Sequence, residues 1–417
     1  MLNNNYICAL DIGSDKIAAC VATLKARQIN NIFFENLPSR GVKDGIIVNS
    51  IDAVSVITKL LKTLKSKSGV NIRFVYTNIS GQDIITKHSR AIMPLAERGN
   101  KVITLSDIQK VNEQARVLGS GLEEEIIHMI PASYAIDSKN NIANPFGLYS
   151  HRLEVDLYLI CVKLSSVQSL TRVINQSGFE IKELHFSGLV TSKAVLNKKN
   201  EGVNLFCDIG SDITELLVFE NGRLRDIEIM HLGGNELTRI LSESLKMPFD
   251  LADEIKKSHG GALFSEQIAE DKEILIKKNN LYKPIKQRLV SELITVGTKS
   301  MCSSIKDAVN KKVSAYKVNN FTLTGGTAMM EGFIEILENT LNIPVKLGRI
   351  SNPDIADFIK EDSALSGQKY LTYLTCLGML CEAIEDKKKE FLPVNQIPMT
   401  LFGRVTNRIK EVYQEYF

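Results

Sequence analysis

Asp-Ile-Gly-Ser-Asp stands at residues 11–15 and again at 208–212. Each copy closes an apolar run, Tyr6–Leu10 and Val203–Cys207, and opens a second one, Ile17–Leu24 and Ile213–Phe219. Two apolar runs joined by a short Gly-containing turn read as a β-hairpin. A tight turn built on Gly leaves backbone N–H groups free to face anionic oxygens, and an Asp just before it can hold a hydrated divalent cation. One copy would be an ordinary turn between strands. Two copies about half a chain apart point to a duplicated α/β domain that clamps one ligand between its halves.

A third element supports this reading. Phe321–Thr324 is a short apolar strand, Gly325-Gly326-Thr327 follows, and a helix is expected from Glu331. Val54–Leu64 and Val167–Gln176 are apolar at helical spacing, as is the stretch 189–197. Phe74–Ile79, Ile181–Phe186 and Pro344–Leu347 read as strands, Gly41–Gly45 as a turn, and a helix should follow Gly233-Gly234. Between about 84 and 162 the texture changes to an inserted α+β module: short strands at Ile84–Thr86 and Ala91–Met93, a helix capped at Ser106-Asp107, and strands at Ile126–Ile130 and Leu153–Val162. The stretch 248–302 reads as helical and charged, with an irregular middle at Glu266–Asn280, and Tyr370–Glu385 as an apolar helix.

The bulk numbers narrow the class. With 417 residues, two to four domains are expected. Apolar residues at 44% and charged residues at 24% fit a globular chain. A net charge of +3 from 51 basic and 48 acidic residues demands no nucleic-acid partner, and none is expected. The seven cysteines form no Cys-x-x-Cys pair and sit mostly in apolar runs, which argues against zinc and disulfides and for a reducing compartment. The Asn-rich start is not a signal peptide, and no apolar run approaches the ~18 to 20 residues of a spanning helix. His88, His151 and His259 read as surface or packing residues.

The tail repays a geometric check. On a helix, Leu401, Phe402, Val405, Ile409, Val412, Tyr413, Tyr416 and Phe417 fall within an arc of roughly 160°, with Arg404, Arg408, Lys410, Glu411 and Glu415 outside it. Such a helix can dock on its own core or lie in a bilayer interface. The polar linker before it, Asp386–Thr400, favours the membrane. Many clustered copies would raise a modest affinity steeply. The Lys387–Lys389 run reads as solvated linker, adding about 1 kcal/mol per Lys toward anionic lipid if held close to it.

These loops, the Leu323-Thr-Gly-Gly-Thr327 element and the tethered helix together resemble the FtsA family of bacterial cell-division proteins, in the actin/Hsp70/sugar-kinase superfamily. Gly41-Val-Lys-Asp-Gly45, His128-Met-Ile-Pro-Ala-Ser-Tyr-Ala-Ile-Asp137, Asn144-Pro-Phe-Gly-Leu148 and Ala252–Gly260 extend the resemblance over nearly the whole chain. It implies an α/β fold of duplicated actin-like (ribonuclease H-like) domains around a nucleotide cleft, with the inserted module in the first half. The implied organisation is 1–83 and 163–200 as subdomain 1A, 84–162 as module 1C, and 201–245 as the first part of 2A. Residues 246–303 would form 2B, 304–385 the rest of 2A and the return to 1A, 386–400 a linker, and 401–417 the membrane-targeting helix.

Cofactors and partners follow from the same resemblance. ATP and Mg²⁺ are implied, as are filaments of the chain itself, the C-terminal peptide of FtsZ, later division proteins at the 84–162 module, and lipid at 401–417. The implied place of action is the cytoplasmic face of the bacterial inner membrane at the division site. Asp11 and Asp208 would face the Mg²⁺ through water. Gly13, Ser14 and Lys16 would hold phosphates from the first loop, and Gly210 and Ser211 from the second. Gly233 and Gly234 would approach the nucleotide, Asp253 and Lys256 would contact ribose or base, and Gly325, Gly326 and Thr327 would border the adenosine. No catalytic residue is expected.

The chain departs from the family in four places. Ser211, Asp212 and Ile213 replace a run of glycines and a Thr, so a residue at positive φ and a carboxylate near phosphate are expected to weaken ATP or tighten its dependence on Mg²⁺. His185-Phe-Ser-Gly188 lacks the carboxylate that orients water in related ATPases, so hydrolysis is expected to be slow or absent. The family's basic grip on the FtsZ peptide aligns with Gly297, with Lys299 near. The tail lacks the common Trp, leaving Phe402, Tyr413, Tyr416 and Phe417 as interfacial anchors. The alternative is a small-molecule kinase or other ATPase of the superfamily with a C-terminal docking helix.

Overall fold

The computed structural model describes residues 6–25, 28–96, 99–137, 139–196, 201–262, 273–278, 281–314, 317–352, 355–356, 358 and 369–389. The amphipathic tail at 401–417 lies outside them, as does the linker beyond Lys389. In the first half, β1 (Tyr6–Ile12) turns back into β2 (Lys16–Lys25) with Asp11 opposite Ala18, and β3 (Gln28–Pro38) continues the meander. Helix α1 (Ser50–Ser68) begins where the Asn49 side chain accepts from the N–H groups of Ile51 and Asp52 and ends at Gly69, whose φ of 68° lies in the left-handed region that favours glycine. It buries Ala53, Ile57, Leu60, Leu61 and Leu64, one helical stripe, against the sheet. Strand β4 (Phe74–Ile79) then runs parallel to β1.

The chain next leaves for the inserted module. Strand β5 (Ile84–Pro94) is continuous where two short strands were expected, because its pairing with a single long partner strand spans Ile84 to Pro94 without a break. Helix α2 (Leu105–Gly119) is capped by Thr104 rather than Ser106: the Thr104 hydroxyl accepts from the Asp107 N–H, and Asp107 accepts in return from the Thr104 N–H. Strands β6 (Glu124–Ile136), β7 (Lys139–Ile142) and β8 (Arg152–Lys163) complete an antiparallel sheet of order β7-β6-β8-β5. Ile103, Val111 and Ala115 pack with Leu153, Val155 and Leu159 between helix and sheet.

Helix α3 (Leu164–Gln176), strand β9 (Glu180–Phe186) and helix α4 (Ser187–Val195) return to the first half, whose sheet has the order β9-β4-β1-β2-β3. The second half repeats the plan. Strands β10 (Val203–Ile209) and β11 (Thr214–Glu220) form the second hairpin, with Asp208 opposite Glu215, and β12 (Arg223–Met230) follows. Helices α5 (Gly234–Leu245) and α6 (Phe249–His259) come next. Where only an irregular middle was expected, β13 (Glu273–Lys278) and β14 (Leu281–Lys286) pair as a hairpin ahead of the long helix α7 (Gln287–Lys312). Strand β15 (Val318–Thr324) runs parallel to β10, and α8 (Phe333–Leu341) and β16 (Val345–Leu347) close a sheet of order β12-β11-β10-β15-β16.

The last described helix, α9 (Leu374–Lys389), carries the chain back to the first half. It extends through the Lys387–Lys389 run, which belongs to its final turn and not to a linker. Cys376, Leu377 and Leu380 pack with Ile7, Ala9 and Val190 in a core of their own. All seven cysteines are buried and none is in a disulfide. Among the described residues no helix is long and apolar enough to cross a membrane.

Gly378 is where α9 and α4 touch most closely. A Cβ there would stand 2.0 Å from the Val190 carbonyl oxygen, a backbone atom that cannot move alone. Gly378→Ala should therefore destabilise the chain by about 2 kcal/mol, read as a lowered urea midpoint at unchanged slope.

Candidate functional site

The two halves face each other across a cavity of about 590 Å³, lined by both Asp-Ile-Gly-Ser-Asp loops, by Gly234 and by Gly325–Thr327. The loops have matching construction. Gly13 N–H donates to the Lys16 carbonyl at 3.1 Å and Gly210 N–H to the Ile213 carbonyl at 2.9 Å. A Cβ on either glycine would stand 3.0 Å from that same carbonyl oxygen. The N–H groups of Ser14 and Ser211 find no acceptor among the described residues and are free for an anion. None of Ser211, Asp212 and Ile213 has positive φ, so the strain expected of the second loop does not arise: the Gly210–Ile213 hydrogen bond closes the turn with ordinary backbone angles.

Each loop aspartate is secured by the neighbouring parallel strand. Asn78 of β4 donates from Nδ2 to Asp11 Oδ1 at 2.7 Å and accepts from the Ile12 N–H at 2.8 Å. Thr324 of β15 donates from Oγ1 to Asp208 Oδ1 at 3.0 Å. Burial pushes the Asp11 carboxyl up to about 6, against the pull of Lys16 and with a further push from Asp208. Burial likewise raises Asp208, while Thr324 and Lys16 draw it down. Lys16 thus serves both aspartates.

A third carboxylate escaped the sequence reading. Glu215 is buried in the cleft, takes a short hydrogen bond from the Ser80 hydroxyl and is bonded by the Gly188 N–H. Burial first, then Asp208 and Asp11, push it up to about 8. The stretch His185–Gly188 has no carboxylate of its own, but one reaches it from β11. The only signal for this was register: Glu215 pairs with Asp208 exactly as far from the turn as Ala18 from Asp11. Three carboxyl groups beside one lysine call for more positive charge. Among the described residues no three His, Cys, Asp or Glu side chains are placed to hold a metal directly.

The remaining candidates occupy the walls. Gly233 allows α5 to approach, since a Cβ would lie 2.4 Å from the Ser211 carbonyl oxygen, and Gly234 N–H donates to the Gly210 carbonyl at 3.0 Å. Gly325 has φ 97°, and a Cβ would lie 2.2 Å from the Ile209 carbonyl oxygen, whereas one on Gly326 would meet open space. Thr327 Oγ1 donates to the Gly210 carbonyl at 2.8 Å, tying this element to the second loop. Lys256 lines the cavity, yet its Nζ contacts Gly234 O at 3.0 Å, Thr238 Oγ1 at 2.6 Å and Asp253 Oδ1 at 2.8 Å, which occupies its three donors within the protein. Asp253 also pairs with Lys257 at 2.9 Å. Gly297 faces inward: a Cβ would lie 2.6 Å from Leu237 and 2.8 Å from Ile240, both on α5. The outer face of α7 is carried instead by Leu289, Glu292, Val296 and Lys299.

Two histidines from the stretches 128–137 and 185–188 meet each other. His128 of the inserted module accepts from the Phe186 N–H at 2.8 Å through Nε2 and stacks on His185 with centroids 5.8 Å apart. Burial, with His185 beside it, holds His128 well below its ordinary range, so the neutral ring is the acceptor. His88 and His151 pair at the surface with Asp156 and Asp137.

Residues 205–372 match the model of a family described as cell division protein FtsA, and 81–161 match that of the SHS2 domain inserted in FtsA. The cell division protein FtsA of Borreliella burgdorferi is 26% identical, over 83% of this chain and 85% of its own length. That of Bacillus subtilis is 28% identical, over 85% and 80%. Among solved structures, the PilM–PilN type IV pilus biogenesis complex superposes with a TM-score of 0.64 at 15% identity, covering 91% of this chain and 98% of that one. MreB5 of Spiroplasma citri bound to ADP gives 0.53 at 10% identity (92% and 98%), and the MamK double helical filament 0.52 at 10% (93% and 99%). At such identities the likeness is one of fold.

The raised Glu215 pKa has a stability consequence. Between the ordinary value of 4.5 and about 8 the folded chain holds a proton that the unfolded chain has lost, so stability falls as pH rises through that window. Glu215→Gln keeps an acceptor for Ser80 and Gly188 but cannot ionise. In ligand-free protein it should raise Tm above pH 8 by about 2–4 °C, with no gain below pH 4.5.

Proposed function

The chain belongs to the FtsA family of cell division proteins and has the actin-like fold, and on that premise we propose that it is an ATP-binding scaffold that assembles on the inner membrane, tethers FtsZ filaments and recruits later division proteins. The observation that carries the nucleotide part is the pair of matching loops with free Ser14 and Ser211 N–H groups on opposite walls of one cavity. A polyphosphate spanning them would meet both loops, Lys16 between them, and a hydrated Mg²⁺ facing Asp11 and Asp208. The metal would supply charge neutralisation, and the loops would supply position. A nucleotide held between the two halves suits a structural ligand, as in a filament subunit.

The membrane and FtsZ parts draw on different features. Residues 401–417 have the composition of an interfacial helix, in which Leu401, Phe402, Val405, Ile409, Val412, Tyr413, Tyr416 and Phe417 would fall on one side. The exposed stripe Leu289, Val296 and Lys299 on α7 offers apolar contacts and one cation to an acidic-apolar peptide, the part assigned by alignment to Gly297. The inserted module, β5 to β8, is the surface for later partners.

Flotation with anionic liposomes, Mg-ATP and FtsZ tests these parts together. The full chain should rise with the liposomes and carry FtsZ with it, and a chain ending at Thr400 should leave both behind. Lys299→Glu should float without FtsZ. A truncated chain that floats as well as the full one would remove the tail from the membrane role.

A further inference from the structure

The last residue of each Asp-Ile-Gly-Ser-Asp repeat reaches across the cleft into the opposite half. Asp15, on the first loop, accepts from Lys257 Nζ of α6 at 2.8 Å. Asp212, on the second loop, accepts from the backbone N–H of Asp44 at 3.0 Å through Oδ2, while its Oδ1 accepts from Asn235 Nδ2 at 2.7 Å. Asp44 lies in the Gly41–Gly45 turn of the first half, at φ 51°. The next N–H, of Gly45, donates to Ser14 Oγ of the first loop at 3.2 Å. One turn is therefore gripped by both loops.

We propose that Asp15 and Asp212 form a reciprocal latch: each half presents the same repeated aspartate to the other, so the cleft rests closed without a ligand and a bound nucleotide is released slowly. The two arms differ in kind. Asp15 and Lys257 are both about half exposed, at 51% and 54%, so water weakens that pair. The Asp212 arm is partly buried and bonds a backbone N–H with a charged acceptor, which makes it the stronger. Asp212 stands where the family resemblance leads one to expect glycine, and this gives its carboxylate a role away from the phosphates. Separation of one half from the other must break both arms, because each joins a residue of the first half to one of the second. The arms are positioning groups; neither needs to touch the ligand.

The nucleotide-release part rests on the ATP reading of the cleft, and the closure part does not. Spin labels on Lys62→Cys in α1 and Ser244→Cys in α5, both exposed positions, report the distance between halves in ligand-free full-length protein, since the native thiols are buried. Adding Asp15→Asn and Asp212→Ala should broaden that distance distribution toward longer values. Lys257→Glu alone should broaden it less, and Asp15→Lys in the same chain should narrow it again. This rescue requires the pair to act across the cleft, not merely to support local structure. Release of a fluorescent ATP analogue should be about tenfold faster from the Asp15→Asn, Asp212→Ala chain, the scale of one lost charge-assisted hydrogen bond. An unchanged distance distribution overturns the latch. A broadened distribution with unchanged release overturns the retention part. If the unaltered chain binds no analogue at all, the ATP reading fails while the distance measurement still decides the latch.

Discussion

Two buried carboxylates face the same cavity, and each accepts a hydrogen bond from a side chain on the next parallel strand. Asn78 secures Asp11 and Thr324 secures Asp208, at equivalent places in the two halves. Burying a carboxylate is costly unless it is bonded and its charge is met. Lys16 meets part of that charge at Asp11 and Asp208, and burial is what displaces Asp11, Asp208 and Glu215 upward. A cation entering with a polyphosphate would relieve all three. The hairpins, the parallel strands beside them and the helices that close the cleft are all needed to keep these groups in one place.

The inserted module is tied to that centre by contacts at both of its sides. On one side, His128 accepts the Phe186 N–H at the start of α4, and the next residue, Ser187, accepts from the same Asn78 that secures Asp11. On the other, the Tyr158 hydroxyl accepts from the Ile227 N–H on β12, and Arg225 donates to the Ala132 carbonyl. The module therefore bridges the two halves, as Asp15 and Asp212 also do. Any movement of the halves has to be accommodated at the module, which gives the module a mechanical link to the site.

What was legible in the sequence is what local chemistry decides. The two turns, the Gly325 element, the stripe of α1 and the duplicated plan all follow from residue types at short spacing. What was missed depends on register or on contacts between distant segments. Glu215 enters the cleft because β11 pairs Asp208 with it, a fact of strand register. Gly297 turns inward because α7 packs on α5 there, a contact between distant segments, while Lys299 stays on the outer face. The strain expected of Ser211–Ile213 was inferred from a glycine-rich norm, yet the turn closes at negative φ and Asp212 finds its donors on Asp44 and Asn235.

Titration calorimetry of the full chain with ATP, with Mg²⁺ and then with excess chelator, tests the nucleotide cleft most directly. Binding should be saturable with Mg²⁺ and weaker by at least about tenfold without it, since the metal is the largest positive charge available to three crowded carboxyls. Equal affinity with and without Mg²⁺, or no binding in either case, would contradict the assignment of Asp11 and Asp208 to a hydrated cation beside a bound polyphosphate.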